Sequence, residues 1–396
     1  MRAVLPLSGA KPLLDFARMK PPLPQQLIRR WHAWLVVWRV HHWLGLAMGA
    51  FIVLASFTGS VLVIHHDVEK WLQPERHRVA PPQPGEPAAT DAAEIVRTLA
   101  AQAPAGYRPL RIEPAKSPQS ADKYVFIGAT TADRWSALVD PHRGNVLWQG
   151  ADQSLFTPWL LHLHMHLHLG AIGYLTMGLA GLALTLLAVS GIILTRGRLR
   201  VLLRAPIRWG QGWRAATADL HCWLGLVGIY FSFVLGVTGV WFSILITPGQ
   251  LKRSEAALPP PFELGQLTAI APALAAAQAR WPDAEVARIT LPWKPEIGLQ
   301  VRMLHRDAPV WRKFSHVDFD PVTGQMQRVR DAREATPGEK LRAILAPLHF
   351  GFYGATLTKW LYAIGGLVPG LLALSGTLIW WLRRRGSVNR PISTLS

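Results

Sequence analysis

The feature that most constrains the fold is an apolar segment that occurs twice. The string HHWLGL at 41–46 returns as HCWLGL at 221–226, 180 residues further along the chain. Each copy opens an apolar run that contains a Thr-Gly pair at the same offset, Thr58-Gly59 in the first copy and Thr238-Gly239 in the second. A sequence written twice predicts two equivalent structural units that pack against each other.

A second pair of apolar runs repeats in the same order. These runs align through Ser190-Gly191 and Ser375-Gly376, which are 185 residues apart, and this alignment superimposes His164 on His349. The repeat therefore places histidine at equivalent positions of its two copies.

The apolar runs are long enough to cross a bilayer. They cover 43–66, 169–195, 220–247 and 356–382, and a spanning helix needs about 20 residues. Only 17% of the residues are charged, and tryptophan, which concentrates at membrane interfaces, occurs 18 times. The sequence therefore predicts a membrane α-helical protein, a four-span helical bundle built from two repeats.

The distribution of Lys and Arg predicts the orientation of the spans. Basic residues crowd the N-terminal segment, the short loop after the second span and the C-terminus, whereas the two long loops mix both signs of charge. Because short basic segments stay in the cytoplasm, both termini are expected there and both long loops outside. The net charge of +18 is thus a signal for topology and for membrane lipid as a partner, and no nucleic acid partner is expected.

The two outer loops also resemble each other. The string Asp-Pro-x-x-Gly, typical of a turn, occurs at 140–144 and again at 320–324. A helix is predicted near 92–103 in the first loop and near 269–281 in the second, and alternating segments typical of strands follow each helix. Each loop is therefore expected to form a small α+β domain.

Two matched histidine pairs in a helical bundle predict bis-histidine haem ligation. His41 and His221 open the outward-going spans, and His164 and His349 precede the inward-going spans. Twofold pseudosymmetry would bring such positions face to face, so we expect His41/His221 to ligate an inner haem and His164/His349 an outer one. Cys222 is the only cysteine, which excludes covalent Cys-x-x-Cys-His attachment and leaves two b-type haems.

Other histidines at the span ends lack an equivalent in the second copy. His65 and His66 end the first span, and one of them is an alternative ligand of the outer haem. In the string LHLHMHLH at 161–168, His164 and His168 are four residues apart and would share a helical face, and a copper or zinc site is an alternative for this string. The candidates for binding or protonating a substrate near the outer haem are His66, His166 and His168.

On the cytoplasmic side, the sequence offers one further candidate for haem binding and no domain that could supply electrons. Arg39 is a candidate partner of haem propionates, although a positive-inside anchor also accounts for an arginine there. No Gly-rich dinucleotide fingerprint is present, and the inner loop 196–219 is too short for a flavin domain. No flavin is therefore expected in this chain, and a quinol or a separate cytoplasmic reductase is expected to donate electrons.

Taken in order, these motifs resemble a known family. His-x-Trp-Leu-Gly, Thr-Gly, Asp-Pro-x-x-Gly, Leu-His, Ser-Gly and an Arg cluster occur twice over 35–385, and this pattern resembles the PepSY-associated transmembrane proteins. Within that family the chain looks most like the inner-membrane ferric-siderophore reductases of the ferrioxamine type, which are four-span di-haem proteins. The resemblance implies an oxidoreductase of the bacterial inner membrane that reduces Fe(III) in a siderophore at the periplasmic face to release Fe(II).

The resemblance also identifies the outer loops as periplasmic PepSY-like domains and gives the expected organisation of the chain. In order, the expected segments are a cytoplasmic N-terminal segment 1–34, TM1 35–66, PepSY-like domain 1 at 67–158, TM2 159–195, a cytoplasmic loop 196–219, TM3 220–247, PepSY-like domain 2 at 248–346, TM4 347–382 and a cytoplasmic tail 383–396.

Two other classes of function fit the same sequence. One is a haem or metal transporter whose histidine string passes cargo, although the spans lack the Asp and Glu side chains that ion-coupled pathways use. The other is a non-redox PepSY regulatory membrane protein that binds an envelope partner, with histidines that are merely interfacial. A visible absorption spectrum separates these classes from a haem protein.

Overall fold

Four helical stretches in the structure are long and apolar enough to cross a membrane. The structure, a computed structural model, describes residues 25–81, 91–129, 133–196, 204, 206–253, 262–267, 269–293, 297–306, 314–351 and 356–388. Most of the expected segments 1–34 and 383–396 lies outside these residues. The membrane-length stretches are His32–Val63, Gly170–Thr195, Ile229–Pro248 and Thr356–Arg385. The prediction of four apolar helices is therefore confirmed.

The long helices of the two copies pack against each other. The helices of the described residues are α1 (Gln25–Val63), α2 (His65–Leu72), α3 (Pro74–His77), α4 (Ala92–Gln102), α5 (Phe156–His166), α6 (Gly170–Thr195), α7 (Trp213–Val227), α8 (Ile229–Arg253), α9 (Ile270–Arg280), α10 (Pro337–Phe350), α11 (Thr356–Gly365) and α12 (Val368–Val388). In the bundle, α1 packs against α6 and α12, α6 packs against α8, and α7 packs against α12. Each copy thus contacts the other along its apolar helices.

Spans that the sequence predicts as single helices are divided in the structure. TM2, expected over 159–195, is split because Leu167 and His168 both adopt a φ of 56° between the end of α5 and the start of α6. This left-handed conformation is costly for residues other than glycine. TM3, expected over 220–247, is likewise divided into α7 and α8, and TM4, expected over 347–382, contains the end of α10 followed by α11 and α12. The break in TM2 falls inside the histidine string, and so it changes which histidines can share a face.

The segments between the spans form one antiparallel sheet. Its strands are β1 (Arg108–Glu113), β2 (Asp122–Ile127), β3 (Arg134–Val139), β4 (Val146–Ala151), β5 (Ala284–Thr290), β6 (Leu299–His305), β7 (Phe314–Phe319) and β8 (Met326–Arg330). They are hydrogen-bonded in the order β4-β3-β2-β1-β5-β6-β7-β8. The predicted turns join β3 to β4 and β7 to β8, with Gly144 at φ 71° and Gly324 at φ 73°.

The expectation of two separate outer domains, over 67–158 and 248–346, needs correction, because the sheet is continuous. β1 pairs with β5, and Ile112 lies opposite Ile289. This pairing satisfies backbone N–H and C=O groups that two separate sheets would each leave open at an edge. The predicted helices are present as α4 and α9, which pack beside each other, and their apolar side chains share one core with both halves of the sheet.

The sheet lies at one end of the bundle. Nζ of Lys116, just after β1, is 2.5 Å from Nε2 of His66 in α2. The backbone N–H of Thr157 in α5 donates to Oε1 of Glu69 at 3.2 Å. Since α2 directly follows α1, these contacts place the sheet over the C-terminal end of α1.

Reporter fusions at Gly150 and Gly324 are expected to show a periplasmic location, and a fusion at Trp209 a cytoplasmic one. Gly150 and Gly324 belong to the sheet region, and Trp209 follows the Arg-rich loop that the positive-inside rule keeps in the cytoplasm. Alkaline phosphatase and green fluorescent protein fusions measure the two locations independently. A cytoplasmic signal from either sheet position would overturn the expected orientation.

Candidate functional site

Two pairs of histidine side chains meet between the helices of the bundle. The rings of His41 in α1 and His221 in α7 have centroids 6.4 Å apart and planes at 89°. The rings of His164 in α5 and His349 in α10 have centroids 6.3 Å apart and planes at 55°. The structure thus brings together each pair that the sequence alignment superimposes.

At the His41/His221 pair, a serine hydroxyl from a neighbouring helix holds each ring. Nδ1 of His41 is 2.7 Å from Oγ of Ser190 in α6, and Nδ1 of His221 is 2.9 Å from Oγ of Ser375 in α12. Both hydroxyls are largely shielded from solvent. In each case the ring and the hydroxyl belong to the same sequence copy, so each copy orients one histidine toward the other copy.

At the His164/His349 pair, threonine hydroxyls do the same. Oγ1 of Thr58 in α1 is 2.9 Å from Nδ1 of His164, and Oγ1 of Thr238 in α8 is 2.8 Å from Nδ1 of His349. His41 and Thr58 are separated by about 25 Å along α1, at about 1.5 Å per residue. The two pairs therefore lie near opposite ends of a helix that is long enough to cross a membrane.

The hydroxyls also fix the tautomer of the four rings. Ser190 Oγ donates its proton to Leu186 O at 2.7 Å, and Thr238 Oγ1 donates its proton to Val234 O at 2.6 Å. The other two hydroxyls donate to carbonyl oxygens of their own helices in the same way. Because each hydroxyl proton is used, the hydroxyl oxygen accepts Nδ1–H of the ring, and Nε2 keeps a lone pair for a metal.

A glycine follows each hydroxyl and leaves room beside the ring. A Cβ at Gly59 would lie 3.0 Å from Cε1 of His164, and a Cβ at Gly376 would lie 3.4 Å from Cε1 of His221. The other two glycines stand in the same relation to the remaining rings, at 3.7 and 3.8 Å. The Ser/Thr-Gly pairs therefore form a unit in which the hydroxyl orients the ring and the glycine leaves space for it.

The separation of the rings fits a metal ion between them. A metal–imidazole bond is about 2 Å long and the ring centre lies about 1 Å behind the nitrogen, so two rings on opposite sides of one metal have centroids about 6 Å apart. The observed separations of 6.3 and 6.4 Å agree with this value. The donor set and the spacing would therefore suit a b-type haem, which each pair would hold through one ring nitrogen of each histidine.

The structure does not bring Arg39 to the ring of His41. Arg39 is exposed and lies two positions earlier on α1, and side chains two residues apart on a helix do not face each other. The adjacent His42 stacks on Trp38, with ring centroids 5.2 Å apart and planes at 4°. Neither side chain joins the histidine pair.

His65 and His66 lie where α1 gives way to α2. His65 bonds a backbone carbonyl at the end of α1 (Nδ1 to O, 2.6 Å), and His66 contacts Lys116 of the sheet region. Their rings are 3.9 Å apart. Among the described residues, the ring contacts of this pair do not reach His164 or His349, so the alternative in which one of them replaces an outer ligand gains no support.

The end of α5 divides the histidine string. His164 bonds Thr58. His162, His166 and His168 form a separate cluster. The ring centroids of His162 and His166 are 5.0 Å apart, and the centroid of His168 lies 6.1 Å from each of them. The expectation that His164 and His168 share a helical face is wrong. His168 lies beyond the helix, where the backbone has turned left-handed.

The copper or zinc alternative for this string finds no preformed site. In the part of the chain that the structure describes, no group of three or more His, Cys, Asp or Glu side chains could hold a metal ion. Nδ1 of His166 is buried without a hydrogen-bond partner among the same residues, and its ring lies 4.8 Å from that of Tyr174. His166 ends the helix that carries His164, and His168 follows the helix.

The sequence alone does not predict the role of the four hydroxyls. In the sequence, Ser-Gly and Thr-Gly serve only to align the two copies. A signal was present, because the chain offers four such pairs in its apolar runs for four matched histidines. A hydroxyl that recurs with every candidate ligand is what an oriented imidazole requires.

Comparison with known proteins places these features in a family. The chain is 28% identical over 254 residues to an uncharacterized protein of Pseudomonas aeruginosa, and the match covers 58% of this chain and 64% of that relative. The chain thus matches less than two thirds of the relative's length. The family model of the PepSY-associated TM region matches residues 38–383. Because that match includes both histidine pairs, all four hydroxyls and the whole sheet, the chain belongs to the PepSY-associated TM region family.

Proposed function

We propose that this chain is a membrane electron-transfer protein that holds two b-type haems and reduces Fe(III) in a siderophore, releasing Fe(II). The observation that carries the proposal is the pair of histidine pairs, with ring centroids 6.3 and 6.4 Å apart and every Nδ1 held by a hydroxyl. In this proposal the protein is a ferric-siderophore reductase of the bacterial inner membrane, and a quinol or a cytoplasmic reductase is the electron donor.

The roles of the side chains follow from their contacts. Nε2 of His41 and His221 would hold one haem, and Nε2 of His164 and His349 the other. Haem, when bound, supplies one-electron redox chemistry. The chain itself orients the rings through the hydroxyls and excludes water from these bonds, since Thr58 and Thr238 are only 1% and 2% exposed.

The sheet end of the bundle is the proposed site of the siderophore. Oxygen donors such as hydroxamates hold Fe(III) more tightly than Fe(II), because Fe(III) is the harder and more highly charged ion, so one electron releases the metal and leaves the chelator intact. The His164/His349 pair lies at this end, and the residues proposed to bind or protonate the chelate there are His66, His166 and His168.

A visible absorption spectrum of the purified protein tests the proposal. We expect dithionite to produce a reduced b-type spectrum at about two haems per chain. A colourless protein would contradict the proposal and favour the regulatory alternative. Haem that dissociates readily and exchanges across a vesicle membrane would favour the transporter alternative.

Replacing Thr238 by valine is expected to weaken haem binding at the His164/His349 pair. Valine keeps the branched shape and removes the acceptor of His349 Nδ1–H, and loss of such a partner typically lowers metal affinity about 10–100-fold. Transfer of haem to apomyoglobin measures the loss, and the haem at His41/His221 should stay in place. Thr238→Ser keeps the hydroxyl and is the control; equal haem retention in both variants would contradict the role of the hydroxyl.

A further inference from the structure

A row of basic side chains crosses the second half of the sheet. Arg288 on β5 lies opposite Arg302 on β6, Arg302 lies opposite His316 on β7, and His316 lies opposite Arg330 on β8. Directly opposed like charges destabilise a sheet. Arg288 and Arg302 therefore form a like-charged cross-strand pair, for which a negative partner is favourable.

The fold itself does not require this row. Residues of the row lie on the sheet face opposite the core, since their strand neighbours Val301 and Val317 belong to the core. In the first half of the sheet, the cross-strand pair equivalent to Arg302 and His316 is Val125 and Ser136. Both of these are buried. The second half therefore carries charge where the first half achieves the same strand pairing without it.

The carboxylates of the described residues compensate the row only in part. Oε1 of Glu113 is 2.6 Å from Nε of Arg111 and 3.3 Å from an amino nitrogen of Arg288. Asp318, also on this face, accepts a hydrogen bond from Gln300 at 2.7 Å. Glu113 is thus shared between two arginines, and Asp318, whose charge acts on His316, offsets only part of the positive charge of the row.

Arg302 and His316 at the middle of the row retain unused donors. The guanidinium of Arg302 lies over the ring of Phe314, 3.9 Å from its centroid, yet its buried Nε has no hydrogen-bond partner among the described residues, and neither has Nδ1 of His316. Burial is the main cause that lowers the pKa of Arg302 to about 10, and repulsion from Arg288 is the second. Burial, followed by the charge of Arg302, lowers the pKa of His316 to about 4.

The same sheet face leads toward the end of the bundle that carries His164. Arg134, at the start of β3, lies on this face, and its buried Nε is likewise without a hydrogen-bond partner among the described residues. Its charge acts on His162 in α5 and on Tyr174 in α6. The first half of this sheet face therefore lies toward the sheet end of the bundle, and the row continues the same face onto the second half.

We propose that the row Arg288, Arg302, His316 and Arg330 is a binding site for the oxygen ligands of a net-negative ferric chelate. Guanidinium groups present forked N–H donors that match carboxylate and catecholate oxygens. This inference rests on the proposed function and narrows it, because it predicts that anionic ferric complexes bind more tightly than neutral or cationic ones.

Calorimetric titration of the full-length protein with gallium complexes tests the row. Ga(III) resembles Fe(III) in charge and size but is not reduced, so binding is measured independently of electron transfer. The probes are the net-negative tris-catecholate complex of Ga(III) and the net-positive Ga(III) complex of desferrioxamine. We expect the anionic complex to bind more tightly, and Arg302→Gln to weaken its binding about tenfold, or about 1.4 kcal/mol, because the change removes charged hydrogen-bond donors.

Two control variants make the outcome specific. Arg302→Lys keeps the charge and should recover part of the affinity, and Arg97→Gln, an exposed change on α4 beyond the other face of the sheet, should have no effect. Circular dichroism tests whether each variant is folded. If Arg302→Gln does not fold, Arg288→Gln takes its place in the titration. Equal affinity for both complexes, or a preference that survives the loss of Arg302 or Arg288, would overturn the proposal.

Anionic lipid is the competing occupant of such a row, and nanodiscs distinguish it. If Arg302→Gln weakens association with phosphatidylglycerol and leaves the binding of both gallium complexes unchanged, the row is a lipid contact and the proposal is overturned. A protein that binds the anionic gallium complex through Arg302 but contains no haem would support the anion site and reject the proposed reductase function.

Discussion

Replacing His41 or His221 by alanine is expected to remove about one of the two haems and to leave the other in place. Their rings are 6.4 Å apart and are held by separate serine hydroxyls, so either change would remove one of the two side chains that are proposed to hold the same haem. The other haem would be held by His164 and His349, which lie near the other end of α1. Pyridine haemochrome content per chain measures the loss, and reduction by a membrane donor should fail in both variants.

His42→Ala is the matched control for this experiment. His42 is the next residue on the same helix, but it stacks on Trp38, and its equivalent in the second copy is Cys222. Its replacement should leave both haems bound. Full haem content in His41→Ala and in His221→Ala would remove the assignment of this pair as ligands.

Replacing His349 by alanine is expected to abolish reduction of a ferric siderophore while the His41/His221 haem stays reducible. The His164/His349 pair lies at the sheet end of the bundle and is the proposed terminal donor. In stopped-flow experiments, dithionite-reduced wild-type protein should be reoxidised by a ferric hydroxamate, with Fe(II) trapped by a ferrous chelator. The His349→Ala variant should lose that phase.

Two comparisons make the stopped-flow result decisive. The iron-free hydroxamate should not reoxidise the protein, and equal rates with and without iron would reject siderophore reduction even if both haems are bound. His66→Ala, which removes a contact to the sheet region but no proposed ligand, should keep both haems and slow reoxidation. A His66→Ala variant with unchanged kinetics would remove His66 from the proposed substrate site.

The histidine pairs could be predicted because the repeat carries long-range information. The offset between the copies links His41 to His221 and His164 to His349 without any knowledge of helix packing, and the structure places both pairs at ring separations near 6 Å. The hydroxyl partners could not be assigned in this way. Ser190 bonds His41 from a different helix of the same copy, and a repeat offset contains no information about contacts within one copy.

Backbone conformation and edge pairing limited the other predictions. A helical period over 161–168 puts His164 and His168 on one face. Leu167 and His168 instead adopt a left-handed backbone conformation, which the sequence does not indicate because neither residue is glycine. Alternating strands in each loop predict a small sheet, but they do not show that β1 and β5 are the edges that meet. That pairing depends on the bundle, which carries the two loops at the same end.

The central pairing of the sheet has a consequence for how such a chain could have arisen. Ile112 of β1 faces Ile289 of β5 across an antiparallel ladder, and each is a core isoleucine of its own copy. A residue that meets its own counterpart is the mark of an isologous contact, the kind that joins the subunits of a symmetric homodimer. The two histidine pairs obey the same rule, with one member from each copy. A half-length ancestor could therefore have assembled both histidine pairs by dimerising through this strand. Gene duplication and fusion would then have joined the two copies covalently. After fusion the two halves of the sheet could diverge, and only one of them now carries the basic row.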